Sequence, residues 1–332
     1  MGSETVTFVL HGEPLDELGR LDPDRDWREF VTGERAWILQ TYLRLRADGA
    51  AVRLADELPA DGIAVFSSKQ RRTLVRGKRR ATQAVLVGVR QDVGEALVAD
   101  LEVVQNQTQA DAKRRFHIPH WPQPGMLGRD AARGSRIETI AYKGFLGNLH
   151  PAFREAAWLD FLREHGIRWL VDAAPYTDDF GDAATLAWND FREVDLVLAV
   201  RAPDAKLQPR KPATKLYNAW LAGVPALLGP EVAYRELRRS ALDYLEVADV
   251  GAAQAAILKL LSSPSLHADM VSNGHVRAAE FQATALVRRW HEFLFSVVPS
   301  LATRADVSRW RGRSLRRKEL SRRGLRALGV WK

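Results

Sequence analysis

Apolar residues fall in short blocks along the chain, and their spacing alternates between strand-like and helix-like. Thr5-Val6-Thr7-Phe8-Val9-Leu10 reads as a buried strand stopped by His11-Gly12. From Glu34 to Arg46, Ile38, Tyr42 and Leu45 recur at helical spacing with Leu39 and Leu43 beside them, which predicts a helix. Residues 50–54, 62–66, 84–89 and 101–104 predict further strands. Strands rich in Val, Leu and Ile, joined by helix-length segments, argue for a mostly parallel sheet covered on both faces. The pattern breaks at Ile118-Pro119-His120-Trp121-Pro122-Gln123-Pro124-Gly125, which excludes regular helix and central strand. A polar, Gly-containing stretch, Arg129 to Arg136, comes next, and the domain boundary is expected near residue 130.

The alternation then restarts. A strand is predicted over 137–142, and a helix over 151–165, where Phe153, Ala157 and Phe161 are spaced by four before Gly166. Strands follow at 167–171 and 194–200, then a helix over 213–222 closed by Gly223. Strands at 224–229 and 244–247 and helices around 251–262 and 264–294 complete the series. The expected fold class is α/β: two doubly wound Rossmann-like domains facing a cleft, over residues 1–130 and 131–300, with a tail over 301–332. Open sheets of this kind bind ligands beyond the carboxyl ends of their strands, so the chemistry is sought in those loops.

Composition narrows the classes. At 46% hydrophobic residues the chain can build sizeable cores, which excludes disorder throughout. The absence of cysteine excludes disulfides, thiolate catalysis and Cys-ligated zinc, and fits a cytoplasmic location. The polar start and the short apolar run Val6 to Leu10 do not make a signal peptide or a membrane span. The net charge of +8 suggests a nucleic-acid partner until it is located. Residues 301–332 hold 11 of the 49 Lys and Arg and 2 of the 41 Asp and Glu, an excess of nine positive charges. The preceding residues carry a net charge of −1, so the body is neutral and only the tail is basic. No nucleic-acid motif accompanies it, so nucleic acid is not the expected partner. Trp310, Leu315, Leu320 and Leu325 recur every five residues, which builds no single apolar stripe. Electrostatic attachment to an anionic membrane surface is the reading that fits. A second basic stretch, Lys69 to Arg80, has seven Lys and Arg and no acid, and suits an anionic acceptor or surface.

The most informative segment runs from Arg210 to Pro225. Pro212 suits a first helical turn, with Lys211 at the helix mouth and Lys215 four residues on, along one face. A helix N-terminus with two lysines can seat a diphosphate through free N–H groups and point charges. The same lysines would also serve as a merely solvated helix start.

The segment Lys211-Pro212…Lys215-Leu216-Tyr217-Asn218-Ala219-Trp220-Leu221-Ala222-Gly223-Val224-Pro225, followed by Leu228-Gly229-Pro230-Glu231-Val232-Ala233-Tyr234, resembles the nucleotide-sugar-binding segment of bacterial GT-B glycosyltransferases. Residues 37–43, 103–106, 118–125 and 140–149 resemble the same group, and the resemblance stops before the tail. It implies a nucleotide-sugar donor held by the second domain, a glycan or lipid-linked acceptor held by the first, and transfer without a metal or other cofactor. It implies donor contacts at Lys211 and Lys215, and at Gly144 and Asn148 in the turn after the first strand of the second domain. Asn218 stands where many retaining members keep the second Glu of a Glu-x7-Glu pair that binds ribose. Arg210 replaces that pair's first Glu, so the motif does not decide between retention and inversion.

Other candidates come from their positions. Arg201 follows a strand end, and Glu231 and Tyr234 follow another; Glu231 would accept from a ribose or sugar hydroxyl or cap the next helix. For a general base, Glu13 and His120 are preferred over His11, Asp26 and His117. His117 and His120 have a metal-like spacing, but Ile118-Pro119 between them is not helical, and no metal is expected there. Asp22-Pro23-Asp24 has the letters of a metal-binding Asp-x-Asp motif but lies in a loop that follows no strand. Two alternatives stand beside transfer: a sugar-nucleotide epimerase on the same fold, and a non-catalytic binding protein tethered by its tail.

Overall fold

The computed structural model describes residues 5–70, 82–91, 99–174, 186–202 and 210–302. Most of the basic stretch Lys69 to Arg80, and the tail beyond residue 302, lie outside the described residues. The chain divides into two compact units. The first takes residues 1–21, 33–118 and 287 onward, and the second takes 22–32 and 119–286.

The first unit is built on a parallel sheet of β1 (Val6–Val9), β2 (Val52–Ala55), β3 (Ile63–Ser67), β4 (Val85–Val89), β5 (Leu101–Val104) and β6 (Arg115–His117), in the order β2-β1-β3-β4-β5-β6. β1, β3 and β5 are buried along their whole length, as unbroken apolar runs require in a sheet covered on both faces. Val6 pairs with Val52 on one side and with Ile63 on the other. The strand order therefore reverses between β1 and β3, and the crevice beyond their carboxyl ends is where such a sheet takes ligands. The helix expected after β1 is present as a π-helical turn, Arg35–Leu39, running into Gln40–Ala47. It buries Trp37, Ile38, Leu39, Tyr42, Leu43 and Leu45 against the sheet.

Two features of this unit depart from expectation. β6 has no apolar run to announce it, because Arg115-Phe116-His117 is polar on both sides of its one aromatic ring. The C-terminal helical region, expected as one helix over 264–294 in the second domain, is broken into Pro264–Ala278 and Ala283–Glu292. Phe281 turns inward at the break and stacks on Tyr217, with ring centroids 4.8 Å apart and an interplanar angle of 7°. From Val287 the chain belongs to the first unit, where Trp290, Phe293 and Leu294 are buried and the Phe116 and Phe293 rings lie 5.2 Å apart.

The second unit carries β7 (Thr139–Phe145), β8 (Arg168–Ala174), β9 (Leu196–Ala199), β10 (Ala226–Leu228) and β11 (Leu245–Glu246), all parallel, in the order β11-β10-β9-β7-β8. Its order reverses between β7 and β9. One continuous core runs under this sheet, from Ile137 through Trp158, Leu198 and Trp220 to Phe281.

The boundary expected near residue 130 lies earlier, at Ile118–Pro119. Residues 119–130 pack on the second unit: Leu127 N donates to Asn189 O at 2.8 Å, and Arg129 N to Ala222 O at 2.8 Å. Asp195 anchors the stretch from Arg129 to Thr139. Its fully buried carboxylate accepts from Arg129, from Arg133, and from the backbone N–H groups of Glu138 and Thr139, all at 3.0 Å or less. Burial would raise the Asp195 pKa, but these donors outweigh it and hold the carboxyl below its ordinary value. Gly125 explains how residues 22–32 join this unit. Its φ is +62°, and a Cβ there would stand 2.7 Å from Asp24 O and 2.8 Å from the Trp27 ring. Among the described residues no helix is long and apolar enough to cross a membrane.

Candidate functional site

The reversal between β7 and β9 brings the loops after these strands together at the carboxyl end of the second sheet. Four segments supply side chains there: the end of β7 with the turn Leu146–Asn148, the residues after β9, the helix Thr214–Ala222, and the turn before the helix Val232–Leu237.

Lys215 lies in the first turn of its helix, whose amino end has no side-chain cap. Its Nζ donates to the backbone oxygen of Lys143 and lies 4.9 Å from the centre of the Tyr142 ring. Gly144 makes room for it: a Cβ there would be 2.5 Å from Lys215 Nζ, and its φ of +147° suits glycine. Burial, reinforced by the charges of Arg201, Lys211 and Lys143 and opposed by Glu231, pushes the Lys215 ammonium down to about 7. The Tyr142 hydroxyl donates to Phe145 O at 2.6 Å, and burial raises its pKa. Lys143 turns its own ammonium the other way, to Asp172 at 3.0 Å and Ala187 O at 2.8 Å.

Arg201, just past β9, donates from Nε to Glu231 Oε1 at 3.0 Å and from its terminal nitrogen to Asn148 Oδ1. Burial alone would lower the Arg201 pKa; the charge and hydrogen bond of Glu231, with Tyr234 and Tyr142, together outweigh it and raise the value. Glu231 does not cap the helix after it, because its carboxylate is turned to Arg201. Tyr234 is 1% exposed, and burial raises its pKa well above the ordinary value. Gly144, Asn148, Arg201, Lys215, Glu231 and Tyr234 are thus neighbours, and Lys211 is near enough for its charge to act on Lys215.

Asn218 does not join them through its amide oxygen. Expected at the ribose position, it is buried and accepts from Gln123 N at 3.1 Å, pinning the Pro-rich linker to the helix. Tyr142 is a neighbour that sequence reasoning misses. Its position two residues before Gly144 at a strand end is the available signal.

The candidates for the base fall in different units. Glu13, in the first, accepts from Arg35 at 2.8 Å. His120, in the second, has Nδ1 2.5 Å from Trp121 O. His117, also in the first unit, has Nε2 3.2 Å from Gln105 O, and burial together with the charge of Arg289 lowers its pKa to about 4. Asp26 and Asp22 are turn residues: Asp22 N donates to Asp26 at 2.8 Å and Asp24 N to Asp22 at 2.9 Å.

No protein-family model matches the chain, and no curated protein does. Solved structures match it through their shape. HepE of Anabaena, in complex with UDP, aligns over 88% of this chain and 99% of its own, at 14% identity and a TM-score of 0.51. The fold is that of the GT-B glycosyltransferases. AviGT4, a glycosyltransferase involved in avilamycin A biosynthesis, aligns over 88% of this chain and 98% of its own, at 14% identity and a TM-score of 0.50. The chain spans about half the length of TarM: 54% of that protein and 70% of this one, at 9% identity and a TM-score of 0.47. In the GT-B arrangement the order reversal of the second sheet, where Lys215 and Arg201 stand, is the ligand-binding end of an open α/β sheet.

Proposed function

We propose that the chain is a glycosyltransferase that moves a sugar from a nucleoside-diphosphate sugar to a hydroxyl of a glycan or lipid-linked acceptor. The observation that carries this reading is Lys215: a half-buried ammonium at an uncapped helix end, beside Arg201, at the strand-order reversal. Two cations in poorly solvated surroundings, with one carboxylate paired to Arg201, favour a ligand with more than one negative charge. HepE, of the same fold, binds UDP and UDP-glucose. In the reaction the bond from the anomeric carbon to the diphosphate oxygen breaks and a bond to the acceptor oxygen forms. The nucleoside diphosphate leaves, and the acceptor proton passes to a base. Lys215, Lys211 and the helix N–H groups neutralise the charge that grows on the leaving diphosphate, and no metal is required for this. Arg201 joins them when the ligand draws it from Glu231. Glu13 and His120 stand as candidates for the base. The tail over 301–332 would hold the enzyme at an anionic membrane face, which suits a cytoplasmic enzyme with a lipid-linked acceptor.

Thermal shift against a panel of nucleoside diphosphates tests the reading. Selective stabilisation by one base is expected, and absence of a shift with all of them overturns it. The double variant Lys211→Ala/Lys215→Ala should lose the shift; an unchanged affinity would remove these lysines from the site. Acceptor extracts then separate transfer from epimerisation, because an epimerase changes the donor without them.

A further inference from the structure

Glu231 is the odd member of the second unit's cluster. The charges that act most strongly on Lys215 are those of three cations, Arg201, Lys211 and Lys143, and of one carboxylate, Glu231. An anion set among the cations of an anion seat weakens that seat, and two ordinary roles leave it unexplained. Helix capping is one: Glu231 makes no side-chain bond to the helix Val232–Leu237 that follows it. Holding Arg201 is the other. Glu231 Oε1 accepts from Nε at 3.0 Å, but the neutral amide oxygen of Asn148 accepts from a terminal nitrogen of the same guanidinium, so a group without charge serves as well.

The ion pair is not sealed. The Arg201 and Glu231 side chains keep 16% and 11% of their surface exposed, so a ligand reaches them from solvent. Their surroundings are poorly solvated: Tyr142 and Tyr234 are 0% and 1% exposed, and the charge of Glu231 acts on both hydroxyls. A fixed charge in such a place is weakly screened, and a neighbouring ligand feels it.

The two nucleotides of the proposed reaction differ in charge. In the donor the terminal phosphate is esterified to the sugar. In the product it is free and carries about one more negative charge at neutral pH. Cations alone would therefore hold the product more tightly than the donor, and a carboxylate beside them opposes that preference.

We propose that Glu231 sets the balance between donor and product: its carboxylate, placed in the cation cluster by Arg201, weakens binding of the nucleoside diphosphate relative to the nucleotide sugar and so favours release after transfer. This rests on the transferase reading and adds to it a role for a charge that works against binding. Release of product is a step that limits turnover in many enzymes.

Calorimetric titration of the full chain at pH 7.5 and low ionic strength tests the proposal, with UDP and UDP-glucose, ADP and ADP-glucose, and GDP and GDP-mannose as matched pairs. In Glu231→Gln the affinity for the free diphosphate should rise about tenfold relative to its sugar ester, and the change should shrink as salt is added. Glu231→Ala, a second neutral variant, should shift the ratio in the same direction. Glu231→Asp, which keeps the charge, should keep the wild-type ratio. Asn148→Ala loosens Arg201 without changing a charge, so it should weaken both members of a pair alike. An unchanged ratio in both neutral variants, a ratio moved toward the sugar ester, or a Glu231→Asp variant that behaves like Glu231→Gln would overturn the proposal and leave the donor reading standing. Absence of binding of every pair to the wild type would overturn the donor reading itself, and this role of Glu231 with it.

Discussion

At the scale of single residues, the second unit's site depends on the fit between Gly144 and Lys215. Gly144→Ala would put a methyl group 2.5 Å from the Lys215 ammonium, on a backbone that suits glycine. The lysine is flexible and would move, so the fold should survive with a loss of about 1–3 kcal/mol. Nucleoside-diphosphate affinity should fall about tenfold, measured by calorimetric titration, because the cation leaves its place. Lys215 also gives a pH signature. Its folded value of about 7 lies below the ordinary 10.5, so between these values the unfolded chain holds a proton that the folded one has released. Stability from this residue is therefore present above about pH 10.5 and is lost as pH falls through about 7. Lys215→Met should accordingly be more stable than the wild type near neutral pH, with the gap closing by about pH 10, as read from denaturant midpoints. Binding of a diphosphate favours the charged lysine, so affinity should rise as pH falls from about 9 to 7, with proton uptake visible in buffers of different ionisation enthalpy. The lysines and Gly144 were legible in the sequence as a spacing and a turn. The roles of Glu231 and Asn218 were not, because which atom a buried carboxylate or amide turns to depends on neighbours distant in sequence.

At the scale of elements, unbroken apolar runs made nearly every strand readable, since a parallel sheet buried on both faces leaves no polar alternation to confuse the pattern. β6 escaped because it is a half-buried edge strand. The break after Ala278 escaped because no Pro or Gly marks it; the stacking of Phe281 on Tyr217 supplies the reason from elsewhere in the chain. The linker is held by Asp195, which gathers two arginines and two backbone N–H groups at one buried carboxylate. Asp195→Ala would leave those arginines facing a void, and a loss of about 3–5 kcal/mol in unfolding free energy is expected from denaturant titration. Asp195→Asn should keep the shape and recover part of the loss.

At the scale of the whole molecule, the sequence showed two α/β units but not their boundaries. A composition break marks where the chain is irregular, not which unit the irregular part packs on, and residues 119–130 pack forward. The return of residues 287–302 to the first unit has no local signal at all, because a helix with one apolar face can be buried by either unit. Ending the chain at Leu286 should therefore destabilise the first unit, which loses Trp290, Phe293 and Leu294, and hydrogen exchange should rise in β5 and β6. Ending it at Ala302 should reduce flotation with anionic phosphatidylserine vesicles, while neutral vesicles show no difference.

That return of the chain sets an order in time as well as in space. During synthesis the second unit has all its residues once Leu286 has left the ribosome, whereas the first, though begun earlier, still lacks the helix that covers β6. The usual progression, in which the N-terminal domain finishes first, is inverted here. The first unit's sheet stays incomplete until the helix beyond Val287 reaches it, and a product ending at Leu286 would hold a finished second unit and an unfinished first.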